Sequence, residues 1–223
     1  MTDILLPSLE DVRATSGLMG MELNFVREKP SNVVEIVSGD ASISYDVSGA
    51  YLSAGDTEGD SAALSGAAYA RGGDAKYIFE ASFIARGSIE NRHIIGFCGG
   101  TGREDRLRGA WLEVGEGRVG TGDTDSDTDI YEDVSDAISS LPQMSRLRIV
   151  WDGPNDKVHF KIRNGSDKIE VELPIVDSIW PRWADGNETN TDATHGVVAI
   201  SESRGADETF MVSNVNTAMV FNE

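Results

Sequence analysis

The sequence predicts an all-β sandwich or jelly roll. Short runs of β-branched and aromatic residues alternate between two faces along most of the chain. Clusters of Gly, Asp and Asn punctuate these runs at short intervals. No long amphipathic helix, heptad array or internal repeat competes with that pattern. At 223 residues the chain has enough length for one large β-domain with its own core.

The first thirty residues read differently. Pro7 to Phe25 contains Leu9, Val12, Leu18, Met19, Met21, Leu23 and Phe25, while Gly17 and Gly20 weaken any helix there. Pro30-Ser31-Asn32 then breaks the chain. Residues 1–30 are therefore expected to be an arm, packed on its own domain or on a neighbour, and residues 31–223 the β-domain.

From residue 33 the strands follow in order. Val33 to Val37, Ser42 to Tyr45 and Ala50 to Leu52 are short and separated by turns. Ala62 to Ala70 is small-residue-rich, a candidate strand in a tight place. Tyr77, Phe79, Ala81 and Phe83 share one face of a strand whose other face is Ile78, Glu80, Ser82 and Ile84. His93 to Phe97 and Ala110 to Val114 are two further candidates. The clearest signal is a meander. Leu147, Ile149 and Trp151 point one way, and Asp152-Gly153-Pro154-Asn155-Asp156 turns the chain. Val158, Phe160 and Ile162 then alternate with Lys157, His159, Lys161 and Arg163. Asn164-Gly165 suits a tight hairpin, and Ile169, Val171 and Leu173 alternate again. Three strands joined in this way imply an antiparallel meander with one wet face. Gly196 to Ser201 and Thr209 to Val220 are the last two strands expected.

Charge narrows the setting. The net charge is −19, from 38 acidic residues against 14 arginines and only 5 lysines. Few lysines beside many carboxylates is the pattern expected of proteins working in molar salt, where screening over about 3 Å removes most of the self-repulsion. No stretch of sequence resembles a basic patch, so nucleic acid is not the expected partner. No apolar run approaches the roughly 20 residues of a membrane-spanning helix, so membrane insertion is not expected either. Met1-Thr2-Asp3 leads into Ile4-Leu5-Leu6-Pro7 without a basic leader, which makes synthesis in the cytoplasm the expectation. The single cysteine, Cys98, excludes an intrachain disulfide and reads as a small buried hydrophobe.

The strand sequences also carry a resemblance. Tyr77-Ile78-Phe79-Glu80-Ala81-Ser82-Phe83 looks like a core strand of concanavalin A-like lectin and glucanase domains. Gly96-Phe97 and Gly109-Ala110-Trp111-Leu112-Glu113-Val114 resemble their middle strands. Leu147-Arg148-Ile149-Val150-Trp151-Asp152-Gly153, with Val158-His159-Phe160-Lys161-Ile162 after it, is the most telling stretch. The resemblance covers about residues 33–223 and implies a concanavalin-like jelly-roll β-sandwich. Such domains recur in tail, fibre and capsid-surface proteins of tailed viruses. The glucanases of this group carry a Glu-x-Asp-x-x-Glu strand. Neither Glu113-Val114-Gly115-Glu116 nor Glu170-Val171-Glu172 has that pattern, so no catalytic residues are assigned.

Two segments hold candidate binding residues. Asp123, Asp125, Asp127 and Asp129 alternate along Gly122 to Asp129 and could offer oxygens to Ca²⁺ or another cation, with Glu132 and Asp133 nearby. The segment lacks the central glycine and terminal glutamate of an EF-hand, and a solvated acidic loop is the simpler explanation. In Trp180 to Thr194, the residues Trp180, Trp183, Asp185, Asn187 and Asn190 supply the flat rings, carboxylate and amides of a sugar site. The alternative is that the tryptophans cap the sandwich. His93, His159 and His195 are isolated, and their spacing does not suggest zinc.

The expected function is a non-enzymatic virion structural protein displayed on the capsid or tail of a halophilic archaeal virus, as a decoration, turret or fibre component. It would contact other virion proteins through residues 1–30, form a homo-oligomer and meet host-surface glycans from the virion surface. A halophilic cellular carbohydrate-binding module is the alternative, and a glycosidase the third reading.

Overall fold

A computed structural model of the chain describes residues 19–67, 75–86, 90–99, 108–123, 129–138, 144–164, 167–175, 195–206 and 208–221. These residues form strands and little else. β1 (Met19–Asn24), β2 (Val33–Ser38), β3 (Ser42–Tyr45), β4 (Ala50–Ser53) and β5 (Ser61–Ala67) come first. β6 (Ala75–Arg86), β7 (Arg92–Gly99), β8 (Arg108–Glu113), β9 (Arg118–Asp123) and β10 (Ile130–Asp133) follow. One helical turn, α1 (Ser135–Ile138), precedes β11 (Ser145–Asp152), β12 (Lys157–Asn164) and β13 (Asp167–Pro174). β14 (His195–Glu202) and β15 (Thr209–Phe221) complete the set.

The strands pair antiparallel into two sheets. The first runs β13-β12-β11-β6-β15-β4-β3, with β1 also paired to β15, and the second runs β10-β9-β8-β7-β14-β5-β2. The architecture is the expected jelly-roll β-sandwich. Alternation explains it: Phe79, Phe83, Leu147, Ile149, Trp151, Val158, Phe160 and Ile162 turn inward from the first sheet. Leu64, Ile95, Ala110, Leu112, Val119 and Ala199 meet them from the second. The meander β11-β12-β13 has the expected register, with Ile149 opposite Phe160 and Phe160 opposite Val171. At its first turn Asp156 takes a left-handed φ of 52°, which lets the chain reverse straight after Pro154 and Asn155.

Three strands had no clear sequence signal: β1, β9 and β10. β9 reads RVGTGD and β10 IYED, with too few apolar residues to alternate visibly. Their neighbours decide them, because strand preference is largely a matter of fit to a pleated, half-buried surface. Asp123, expected in a loop, is the last residue of β9 and pairs with Arg108.

β1 settles part of the question posed by the N-terminal stretch. Residues 19–25 pack on their own domain. Met19 to Asn24 pair along Met219 to Asn214, and the Phe25 N–H donates to the Ser213 carbonyl at 3.1 Å. Leu23 and Phe25 are fully buried in the main core. Residues 1–18 lie outside the described residues. Val34, Ile36 and Val37 on edge strand β2 are 43%, 37% and 51% exposed, with Glu35 between them accepting a 2.6 Å hydrogen bond from the Tyr45 hydroxyl.

If β1 belongs to the domain core, Phe25→Ala will cost about 3–5 kcal/mol of stability. Urea unfolding followed by tryptophan fluorescence measures it, and an unchanged midpoint would remove this segment from the core.

Candidate functional site

The five residues proposed for a sugar site, Trp180, Trp183, Asp185, Asn187 and Asn190, lie outside the described residues, as do Asp125 and Asp127. The flanking strand ends are described, and they converge. β9 ends at Asp123 and β10 begins at Ile130, which pairs with Thr121. Pro174, ending β13, pairs with Lys157, whose β11 partner Asp152 sits opposite Lys76 near the start of β6. His195, starting β14, pairs with Ala67 at the end of β5, and Gly196 pairs with Gly99 at the end of β7. The acidic segment and the tryptophan-bearing segment therefore join strand ends at the same end of the sandwich.

The outer face of the second sheet lies beside that end. One row of paired residues crosses four strands there: Gly96, Trp111, Gly120 and Tyr131. The two glycines make room for the rings. A Cβ on Gly120 would come within 2.9 Å of the Trp111 indole and 2.8 Å of the Tyr131 ring. A Cβ on Gly96 would meet the Ala110 carbonyl at 2.4 Å. Trp111 meets Tyr131 edge-on, with ring centroids 5.9 Å apart. Trp111 is fully buried with Ala63, Ile94 and Ile200 in a second apolar cluster, and its indole N–H has no hydrogen-bond partner among the described residues. Tyr131 donates its hydroxyl hydrogen bond to Asp129. Burial, that hydrogen bond and the carboxylate's charge push the Tyr131 hydroxyl well above its usual range. Asp129 is thus engaged by a phenol. Among the described residues, no three His, Cys, Asp or Glu side chains are grouped to hold a metal ion.

The next row is ionic. Glu113, fully buried, receives Arg92 Nε at 2.6 Å on one oxygen and Arg118 Nε and Nη2 at 2.9 Å on the other. The Arg118 guanidinium also lies 4.0 Å above the Tyr131 ring. Glu202 approaches Arg92 at 3.9 Å. Two fork-shaped cations saturate one carboxylate here, the arrangement that makes a buried charge tolerable. At the rim, Glu116 pairs with Arg204, and that hydrogen bond holds its carboxyl below the usual range. Both oxygens of Glu113 are thus engaged by guanidinium groups. Glu170 and Glu172 stand on the wet face of the meander, Glu170 bound by Lys161 and Lys168 and Glu172 by Lys157.

A third network lies between the sheets at the opposite end. The Ser201 Oγ is 3.0 Å from His93 Nδ1, and His93 Nε2 is 3.5 Å from the Glu208 carboxylate. His93 stacks on Phe210 with centroids 5.1 Å apart. The residue types match a hydrolytic triad, but the geometry does not. The serine faces Nδ1 instead of Nε2, and Ser201 is fully buried, beyond the reach of a substrate. The network ties β7, β14 and the start of β15 together. Glu208 also accepts the backbone N–H groups of Glu90 and Asn91 at 3.0 and 2.8 Å. Burial works to raise the Glu208 carboxyl, but the His93 contact and these two hydrogen bonds outweigh it and hold it at about 2. His93 looks isolated in the sequence because its partners lie more than a hundred residues away.

No protein-family model matches the chain, and no curated protein matches it in sequence. Solved structures do match in fold. Arcelin-5, a lectin-like defence protein from Phaseolus vulgaris, superposes with a TM-score of 0.61 at 12% identity, over 92% of this chain and 99% of its own. Lectin I of Ulex europaeus, in complex with the methyl glycoside of α-L-fucose, gives 0.60 at 15% identity, over 92% and 99%. A protein of unknown function from Shewanella oneidensis MR-1 gives 0.61 at 8% identity, over 99% and 97%. The chain has the lectin-like, concanavalin A-like jelly-roll fold.

The Glu208 carboxyl is held below its unfolded value of about 4.3, so its contribution is complete above that pH and is lost as pH falls toward 2. Glu208→Gln will lower the thermal midpoint at neutral pH and flatten its fall between about pH 4.5 and 2. Acid titrations of the two proteins in parallel measure this, and midpoints that fall alike between about pH 4.5 and 2 would refute this reading of the network.

Proposed function

We propose that this chain is a non-enzymatic glycan-binding protein, with its site at the end of the sandwich flanked by Asp123, Asp129, Ile175 and His195. One observation carries the reading. Within a lectin-like jelly roll, the two segments richest in sugar- and cation-binding residue types join strand ends at the same end. In this reading Trp180 and Trp183 stack on sugar rings, and Asp185, Asn187 and Asn190 accept and donate to hydroxyls. Asp123, Asp125, Asp127 and Asp129 hold a structural cation such as Ca²⁺ that shapes the site. A glycan array run with added calcium should give hits that weaken about tenfold or more for Trp180→Ala or Trp183→Ala. An array without hits, or variants that bind as wild type, would refute it.

The setting we propose is the surface of a virion in high salt, with residues 1–18 contacting other virion proteins and the domain in homo-oligomeric display. The acidic, lysine-poor composition supports this, because surface carboxylates keep a protein hydrated and dispersed where salt screens their repulsion. Mass spectrometry of purified virions should recover the chain. Finding it only in uninfected cells would favour the cellular carbohydrate-binding module instead.

A further inference from the structure

The outer face of the first sheet carries a feature at odds with the rest of the molecule. Four of the five lysines, Lys76, Lys157, Lys161 and Lys168, stand on this sheet. Strand register sets Arg146 directly opposite Arg163, and Arg163 directly opposite Lys168. In the adjoining row Arg148 stands opposite Lys161, flanked by Glu80 and Glu170. Across β6, β11, β12 and β13, five cations thus occupy two neighbouring rows with two carboxylates, and Glu22 on β1 lies two strands further along the second row, in a chain of net charge −19. Glu80 is taken by Arg148 at 3.1 Å, and Glu170 by Lys161 at 2.8 Å and Lys168 at 2.6 Å. Arg146 and Arg163 are exposed, and neither has a carboxylate partner among the described residues.

Like charges directly opposite each other on paired strands destabilise a sheet. Glu170 offsets Lys168, which leaves Arg146 and Arg163 face to face with no carboxylate on either among the described residues. We propose that this row binds an anionic polysaccharide, through the carboxylate or sulfate groups along its chain. The row is linear, and its charges repeat at the strand spacing of about 4.8 Å, on the order of a sugar's length. Guanidinium groups match carboxylate and sulfate with paired hydrogen bonds. The overall negative charge does not prevent this, because at about 0.15 M salt charges beyond roughly 8 Å are screened and the local cations dominate. Nucleic acid fits less well, since these two rows offer no aromatic ring for bases to stack on. The row is far from the Trp111 face, on the opposite sheet, and stands independently of the glycan site proposed above.

The test is binding to immobilised polygalacturonate and dextran sulfate at about 0.15 M salt, with neutral dextran as the blank. Wild type should be retained on at least one polyanion, and the two arms separate carboxylate from sulfate preference. The double variant Arg146→Thr, Arg163→Thr keeps strand-forming residues and should bind about tenfold or more weakly, as expected for two lost charge-assisted contacts. Its thermal midpoint should equal or exceed that of wild type, because the like-charge row is relieved. Three results would overturn the proposal: no retention of wild type, equal retention of the variant, or duplex DNA bound as tightly as the polysaccharides. A concentration-dependent dimer in sedimentation that the variant abolishes would also overturn it, by assigning the face to a second copy of this chain.

Discussion

The pairing of β15 with β6 is the constraint on which the rest of the molecule depends. The ladder runs from Thr209 opposite Arg86 to Phe221 opposite Ala75, with a register shift between Val212 and Asn214. On its other side β15 pairs first with β4 and then with β1. Phe210 and Val212 point into the main core, and Phe210 is the ring on which His93 stacks. Glu208, one residue before the strand, fixes the backbone of Glu90 and Asn91. A single strand thus sets the position of the N-terminal segment, the middle of the first sheet and the entry to the second.

Charge is used in three distinct ways around this frame. Between the sheets, His93 and Glu208 join elements far apart in sequence. On the outer face of the second sheet, Arg92 and Arg118 neutralise Glu113 completely and bring a guanidinium over Tyr131 beside the apolar Trp111 cluster. On the outer face of the first sheet, the cations outnumber their partners. The first two arrangements set opposite charges against one another within the fold. The third is open, which is why it is the one that points outward to a ligand.

Much of the fold was legible because it rests on alternation. Tyr77 to Phe83, Leu147 to Trp151 and Val158 to Ile162 announce their inward faces residue by residue, and each is a core strand. β9 and β10 were hidden because glycine and acidic residues fill them. Gly120 is there to seat the Trp111 indole, a demand that comes from a neighbouring strand and leaves no local trace. The same limit applied to the sites. Glu113 could be named as a carboxylate, but not as one clamped by residues 92 and 118. Arg146, Arg163 and Lys168 were each visible as polar positions of a meander. Only the register turns them into a row, so no continuous stretch of sequence shows a basic patch. The acidic and tryptophan-bearing segments were legible from composition, while their common end of the sandwich follows from topology alone.

The place of β15 has a consequence for how the chain acquires its structure. Contacts between residues 19–24 and 214–219 span almost the whole described sequence, and contacts of that kind slow folding because a long loop must close before they form. Until residues 209–221 have left the ribosome, β6 lacks one neighbour, and β1 lacks the strand it pairs with. Exposed edges of that kind invite pairing with other chains. A nascent molecule therefore carries unpaired strand until β15 is made.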